Sequence, residues 1–477
     1  MRALRASPDT ALYVACAVLT AGTAVILDRK GASAALAFAT LPWVAVAVAG
    51  LLGKARLCLF AAAFIIPFSG VRFLSAPVPF GGANVRFQDL ILLLALGSWA
   101  FAVLVARSRG GQAPPVPATA VYGWPLAAFA LLIVIPLLRG HYAYGAHVLG
   151  QPLRIVAFSG IVVALAGTTP ERLLRVLRIV FYSGTVASML WAVYYIGTGT
   201  SQTASVDLST GGTRPLAIST SLYCAGGLFM ALLTVRNEPS RARSLPHLVI
   251  AGLGLVGVVL GFGRGVFAAV ALVLVVFLIT SKGIRRGVLF GIPLALPLLV
   301  LAAIFVTHQA PGVVTAFKHR VSAPPSQDAN VIWREKANKA VLEQVREQPI
   351  VGVGFGRDSS FFIDVKSSSG FLVPFRQNIE QDPHNGYLYL LAGGGLLALG
   401  SFLLIIATYA IDAVRRLRGA IDDTERLLIL WSGATLFCFL FEAGSGTMFE
   451  FPADLLAIWA LIAIPGVVKL RPRRSAA

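Results

Sequence analysis

Charge is what this chain has least of. Of its 477 residues only 13% are Asp, Glu, Lys or Arg, where a soluble domain carries roughly a quarter. That excludes an ordinary water-soluble enzyme. Acids are scarcer than bases, 21 against 40. A site for a divalent ion needs several carboxylates together. Late in the chain, Asp358, Asp364, Glu380 and Asp382 stand singly, with no DxD, so no metal site is indicated there. Cysteine is limited to Cys16, Cys58, Cys224 and Cys438, all inside apolar runs and with no CxxC pair. Neither a disulfide framework nor a zinc site follows from that pattern. No GxSxG, HExxH or P-loop stands in a fitting context, and no cofactor motif is present.

Apolar residues are plentiful. They make up 57% of the chain, with a mean hydropathy of +0.79, and recur in blocks of about 20, the length of a helix that crosses a bilayer. A transmembrane barrel would show short alternating segments instead. The sequence therefore predicts an all-α polytopic membrane protein with about 14 transmembrane helices. The candidate spans are 10–27, 31–52, 57–74, 88–106, 120–138, 152–168, 177–197, 215–235, 246–262, 265–281, 287–307, 387–411, 427–446 and 452–469. The number falls to about 12 if early runs re-enter or pair as one bent helix. The first run follows Arg2 and Arg5 without a clear cleavage site, so it reads as an uncleaved first helix. Three parts follow: transmembrane helices over 1–307, a polar segment over 308–386, and transmembrane helices with a tail over 387–477. No inverted repeat of the transporter kind is visible.

The net charge of +19 would suggest nucleic acid in a soluble protein. In a membrane protein it reports topology, because Lys and Arg gather in cytoplasmic loops. With both termini inside, 23 basic residues fall in inner loops and termini and eight in short outer loops. The 308–386 segment is then outside, periplasmic in a bacterium with two membranes. The partners this implies are membrane lipids, not nucleic acid.

The outer segment has its own pattern. Asp328 or Asn330 can cap a helix in which Trp333, Ala337, Ala340, Val341 and Val345 recur at helical spacing. Pro349 ends it, and Gly352, Gly354 and Gly356 make a close-packed turn. Such a helix lies on the membrane surface or caps a cavity between spans.

Basic residues in the short outer loops need a reason to be there. Arg264 stands in Gly261-Phe-Gly-Arg-Gly265, a minimal turn between two apolar runs. Arginine at that depth faces a partner or a wet cavity, and its planar fork matches phosphate. A snorkelling anchor is the plainer reading. Arg214, Arg154 and Arg86 also sit where spans begin, and Asp89 is placed to pair with one of them. Singly each is an anchor; together they make a shared anionic site credible. His384 opens the last group of spans in Asp382-Pro-His-Asn-Gly-Tyr387. Mostly neutral at neutral pH, it can accept a proton. Asp382 or Asn385 can orient its ring, or can cap the helix that follows.

The order of these motifs resembles a known family. Gly263-Arg-Gly265, the long outer loop with Trp333, Pro349-Ile-Val-Gly-Val-Gly-Phe-Gly356, Pro383-His-Asn-Gly-Tyr-Leu388 and Ala392-Gly-Gly-Gly-Leu396 look like the O-antigen ligase and polymerase superfamily, and most like O-antigen ligase. The resemblance covers about 260–400. It implies an inner-membrane glycosyltransferase of lipopolysaccharide biosynthesis with a periplasmic site. Such an enzyme moves a preassembled glycan from undecaprenyl pyrophosphate to lipid A–core, without metal or cofactor. It also implies His384 as general base and Arg264, with Arg214, at the pyrophosphate. The serine usual before the arginine is Gly263 here. Three rivals remain: a polymerase and a protein O-oligosaccharyltransferase of the same superfamily, and a transporter.

The topology is testable by labelling. A Ser368→Cys substitution should react with membrane-impermeant maleimide in cells whose outer membrane is permeabilised. A Ser475→Cys substitution should react only once the inner membrane is opened. The reverse pattern inverts the assignment.

Overall fold

The computed structural model describes residues 78–80, 83–85, 103–108, 110, 117–139, 169–198, 215–238, 240–281, 283–285, 329–355, 359–366, 372–379, 384–419, 422–446, 448, 449 and 452–468. The spans expected at 10–27, 31–52, 57–74, 152–168 and 287–307, and most of 88–106, lie outside them. The elements are β1 (Val78–Phe80), β2 (Ala83–Val85), α1 (Pro117–Arg139), α2 (Pro170–Thr198), α3 (Ile218–Asn237), α4 (Arg241–Leu260), α5 (Arg264–Thr280), α6 (Ala329–Glu347), β3 (Ser359–Lys366), β4 (Leu372–Ile379), α7 (Gly386–Arg418), α8 (Asp423–Ala443) and α9 (Pro452–Val468). Among the described residues, five helices are long and apolar enough to cross a membrane: α2, α3, α4, α7 and α8. The sequence places spans on each of these, and also on α1, α5 and α9.

The core forms around α3, which packs against α2, α4 and α8. An evenly apolar helix has no face to offer water and belongs inside. Accordingly α3 is buried continuously from Thr220 to Thr234. Against α4 the helices touch closely: a Cβ on Gly257 would meet Cys224, and Ser221 Oγ donates to the Gly257 carbonyl at 3.2 Å. Small residues give this approach where lipid supplies no hydrophobic drive between helices. On the other side Phe181 stacks on Tyr223 at 4.3 Å and meets the edge of Trp431 at 4.9 Å. The Trp431 indole N–H donates to the Gly226 carbonyl at 2.8 Å. A second aromatic contact, Phe129 with Phe402 and Trp459, joins α1, α7 and α9.

α6 is the helix that the Trp333 periodicity predicts. Ala337, Val341 and Val345 are buried against Ala392, with Trp333, Ala340, Leu388 and Leu391 packed around them. Its apolar stripe therefore covers the start of α7, a protein surface. The expectation of an all-α fold with short helices in the 308–386 segment needs correcting there. Among its described residues the segment holds a 19-residue helix and an antiparallel hairpin pairing Ser359 with Ile379 through Lys366 with Leu372. Phe361, Ile363 and Val365 alternate with polar or exposed positions, a strand period. Pro374 is tolerated because a two-stranded ribbon is all edge. Lys336 Nζ donates to the Phe362 carbonyl at 2.8 Å, tying β3 to α6. A second ribbon, β1–β2, lies near the beginning of the described chain.

α7 runs 33 residues, beyond the 387–411 run expected, and it is broken. Gly395 has φ 70° and ψ −169°, outside helical geometry. The break frees backbone groups on both sides, and the turn after α6 takes them up. Val353 N–H donates to Ala392 O at 2.9 Å and Gly354 N–H to Gly393 O at 3.1 Å. Leu396 N–H donates to Pro349 O at 2.9 Å and Leu397 N–H to Ile350 O at 3.2 Å. Gly352, at φ 73°, crosses the kink where a Cβ would strike backbone. Leu396, Leu397, Leu403 and Leu404 become exposed immediately past the break. The lipid-facing part of α7 thus begins at Leu396, and the preceding turns belong to the α6 layer.

Gly395→Ala should lower the thermal unfolding temperature in detergent. This positive-φ, extended-ψ backbone, open essentially only to glycine, alone costs roughly 1–3 kcal/mol for a side chain, and the new methyl would meet the Ile350 carbonyl. Gly400→Ala, five residues on in open space, should leave the temperature unchanged or raise it, since alanine favours helix by about 1 kcal/mol.

Candidate active site

Two tight turns carry the candidate residues. The first joins α4 to α5 through Gly261, Phe262 and Gly263. Phe262 is buried at φ 51°, and its N–H donates to Val259 O at 3.2 Å. This short reversal makes Arg264 the first residue of α5, half-buried. Gly263 caps the helix without a side-chain bond, so the positive end of the helix dipole lies beside a guanidinium. The next residue has to be small. A methyl on Gly265 would fall on the carboxylate of Glu442 and within 3.1 Å of Ser445 Oγ.

The second turn precedes α7. His384 is half-buried at φ 48°, and its ring lies 4.7 Å from that of Trp333, tilted by 46°. Asn385 Oδ1 accepts from the N–H groups of Tyr387 at 3.1 Å and Leu388 at 3.2 Å, which is helix capping. The Tyr387 hydroxyl donates to Leu440 O at 2.7 Å, and Gly386 sits on the ring of Phe449.

Both turns meet one piece of chain. The start of α5 contacts Glu442 and Ser445, and the start of α7 contacts Leu440 and Phe449. Arg264 and His384 therefore flank the end of α8 and the turn after it. They are also reached by the two non-glycine residues with positive φ among the described residues, Phe262 and His384 itself. Left-handed backbone of this kind persists where the surroundings force it, and it gathers at functional sites. Arg214, Arg154, Arg86, Asp89 and Asp382 lie outside the described residues.

Sequence reasoning passed over two acids at this end. Glu442 is 2% exposed at the last turn of α8, against the first turn of α5. Asp454 is fully buried in the first turn of α9. The Ser219 hydroxyl donates to Asp454 Oδ2 at 2.8 Å, while Oδ1 has no hydrogen-bond partner among the described residues. An acid within an apolar run was the available signal. Together the groups offer a cation at a helix start, an imidazole held against indole, and buried carboxylates behind them. That is a setting for binding an anion and moving a proton.

Residues 249–448 match the family model described as O-antigen ligase. The matched region runs from within α4 through both turns and α8 to Met448, and it belongs to the O-antigen ligase superfamily. With its apolar helices, this is a membrane protein of a glycan-transferring class. No curated protein matches the chain.

Asn385→Ala should destabilise the protein by about 1 kcal/mol, the worth of a lost helix cap. Asn385→Asp, which can still accept both N–H groups, should restore stability in thermal unfolding. If Asn385→Asp unfolds as easily as Asn385→Ala, the cap does not set stability at this turn.

Proposed function

With an O-antigen ligase domain as the premise, we propose that this chain transfers a preassembled glycan from undecaprenyl pyrophosphate to a sugar hydroxyl of lipid A–core, on the periplasmic side of the inner membrane. What supports this reading is that the starts of α5 and α7, which carry Arg264 and His384, both contact the end of α8 and the turn after it, within the matched region.

In the proposed reaction the donor's polyprenyl tail lies among the spans and its pyrophosphate lies against Arg264 and Arg214, with Arg154 and Arg86 contributing charge nearby. The acceptor oxygen attacks the anomeric carbon from the face opposite the pyrophosphate. The new glycosidic bond forms as the carbon–oxygen bond to pyrophosphate breaks, so the anomeric configuration inverts. The bond pair leaves with undecaprenyl pyrophosphate. The acceptor proton goes to the His384 imidazole, whose ring packs on Trp333. Arginine forks stabilise the charge that grows on the leaving oxygens, which lowers the barrier because that charge is larger in the transition state. No nucleotide is consumed, since the energy resides in the pyrophosphate linkage. Asp89 and Asp382 fit as partners for these charged groups, and Asn385 as the cap that fixes where His384 stands.

The test is transfer by purified protein given lipid-linked donor and separate acceptors. His384→Ala should reduce transfer roughly 10²–10⁴-fold, the usual worth of a general base, with donor binding retained. Arg264→Lys should also fail by about 10²-fold, because charge survives and the two-pronged geometry does not. Full activity in the His384 variant removes the base assignment. Product on lipid A–core supports the ligase; longer lipid-linked chains or glycosylated protein would move the chain to a polymerase or a protein oligosaccharyltransferase.

A further inference from the structure

At the end of α4 opposite the Arg264 turn, three helices bring together polar groups that the transfer reaction does not use. His247 lies in the second turn of α4, and the Tyr182 hydroxyl of α2 meets its Nδ1 at 2.9 Å. Arg178, one turn before Tyr182 on α2, and Glu238, which caps the end of α3, both lie within electrostatic reach of that ring. The spans expected from the sequence begin at 177 and 246 on α2 and α4 and end at 235 on α3. Arg178, His247 and Glu238 therefore stand where the apolar runs meet the headgroup layer.

We propose that this cluster binds the phosphoethanolamine headgroup of a membrane lipid, with the phosphate on Arg178 and the ammonium on Glu238. Two buried atoms of opposite character carry the assignment. Arg178 Nε, a donor, and Glu238 Oε1, an acceptor, each have no hydrogen-bond partner among the described residues. They do not serve each other, since no ion pair joins them there. Arg243 stands 3.9 Å from Glu238 Oε1, too far to donate, and its side chain is 78% exposed where that of Glu238 is 23% exposed. The gathering of bases at one membrane face accounts for an arginine at this level. It does not account for a half-buried one with an unmatched nitrogen beside a mostly buried glutamate with an unmatched oxygen. Buried charged groups left unmatched are costly, so the pair calls for a ligand that brings an anion and N–H donors together. Phosphate oxygens take the hydrogens of a guanidinium, and a primary ammonium has three hydrogens to give a carboxylate. A glycerol headgroup would meet Arg178 and leave Glu238 unmatched. A choline headgroup carries the charge without the N–H donors. The location favours a lipid over a soluble phosphate: Leu245 and Val249 are exposed on α4, which opens that helix to acyl chains, and charged pockets between spans hold headgroups at this depth. The assignment stands apart from the transfer reading.

The experiment uses the purified full chain in detergent, with lipid retention read by native mass spectrometry and stabilisation read by thermal unfolding. The probes are phosphatidylethanolamine, phosphatidylcholine and phosphatidylglycerol with the same acyl chains, and inorganic phosphate. Phosphatidylethanolamine should bind roughly tenfold more tightly than either other lipid, the weight of one charge-assisted hydrogen bond. Arg178→Gln should weaken its binding about tenfold or more by the same reasoning. Glu238→Ala should bring it down to the level of phosphatidylcholine, and Arg243→Gln should change nothing. Each comparison is between lipids on one variant, so a general loss of stability does not imitate it. Should Arg178→Gln fail to fold, Arg178→Lys keeps the charge, loses the fork and should weaken binding of all three lipids alike. Equal binding of the three lipids, a preference for phosphatidylglycerol, or a preference that survives both Arg178→Gln and Glu238→Ala overturns the site. Inorganic phosphate that stabilises the chain as much as phosphatidylethanolamine, through Arg178, overturns the lipid as its occupant.

Discussion

The structure depends on a backbone break that is repaired from outside the helix. At Gly395 the hydrogen-bonding ladder of α7 is interrupted, and four groups around it are matched by the Pro349–Gly354 turn. Unmatched peptide groups at membrane depth cost several kcal/mol each. The break and the turn are therefore one device, and neither is stable without the other. It fixes three things together. It ends the lipid-facing part of α7, it anchors the loop segment that begins with α6, and it holds the first turns of α7 under the α6 stripe.

The two turns of the candidate site follow from that arrangement. With α7 bent at Gly395, its start reaches the end of α8, where the Tyr387 hydroxyl finds the Leu440 carbonyl. The start of α5 arrives at the same place because α3 and α4 pack closely through Gly257 and Cys224 and set the height of the α4–α5 turn. Arg264 is the first residue of α5 and His384 stands two residues before α7, so rigid elements aim them. Positive φ at Phe262 and His384 shows that the surrounding packing outweighs local backbone preference at both points. α6 then links the parts, since one face supports His384 through Trp333 and the neighbouring face lines a groove that ends at Ser445.

Much of this was legible in residue order. The helix around Trp333 was readable because its buried positions recur at helical spacing. His384 and Arg264 stood out because polar residues at the edge of apolar runs are few. The hairpin after α6 was missed, although Phe361, Ile363 and Val365 alternate as a strand does. Eight residues with serines on both sides give a weak signal beside the strong pattern of the spans. Glu442 was passed over because an acid near the end of an apolar run also reads as an ordinary helix terminus, and only its burial against Gly265 separates the two cases.

By itself the sequence determined the five described helices that are long and apolar enough to cross a membrane, the helix of the polar segment and the residue types available for chemistry. Those are set by hydrophobic periodicity and by the cost of charge in hydrocarbon, which act over a few turns of chain. Which residues meet was decided only by tertiary structure. The Gly395 break, the contact of Gly265 with Glu442 and the face that α6 turns toward Ser445 each join segments tens to hundreds of residues apart. No local preference encodes them; they arise where close packing and the matching of every buried peptide group leave a single arrangement.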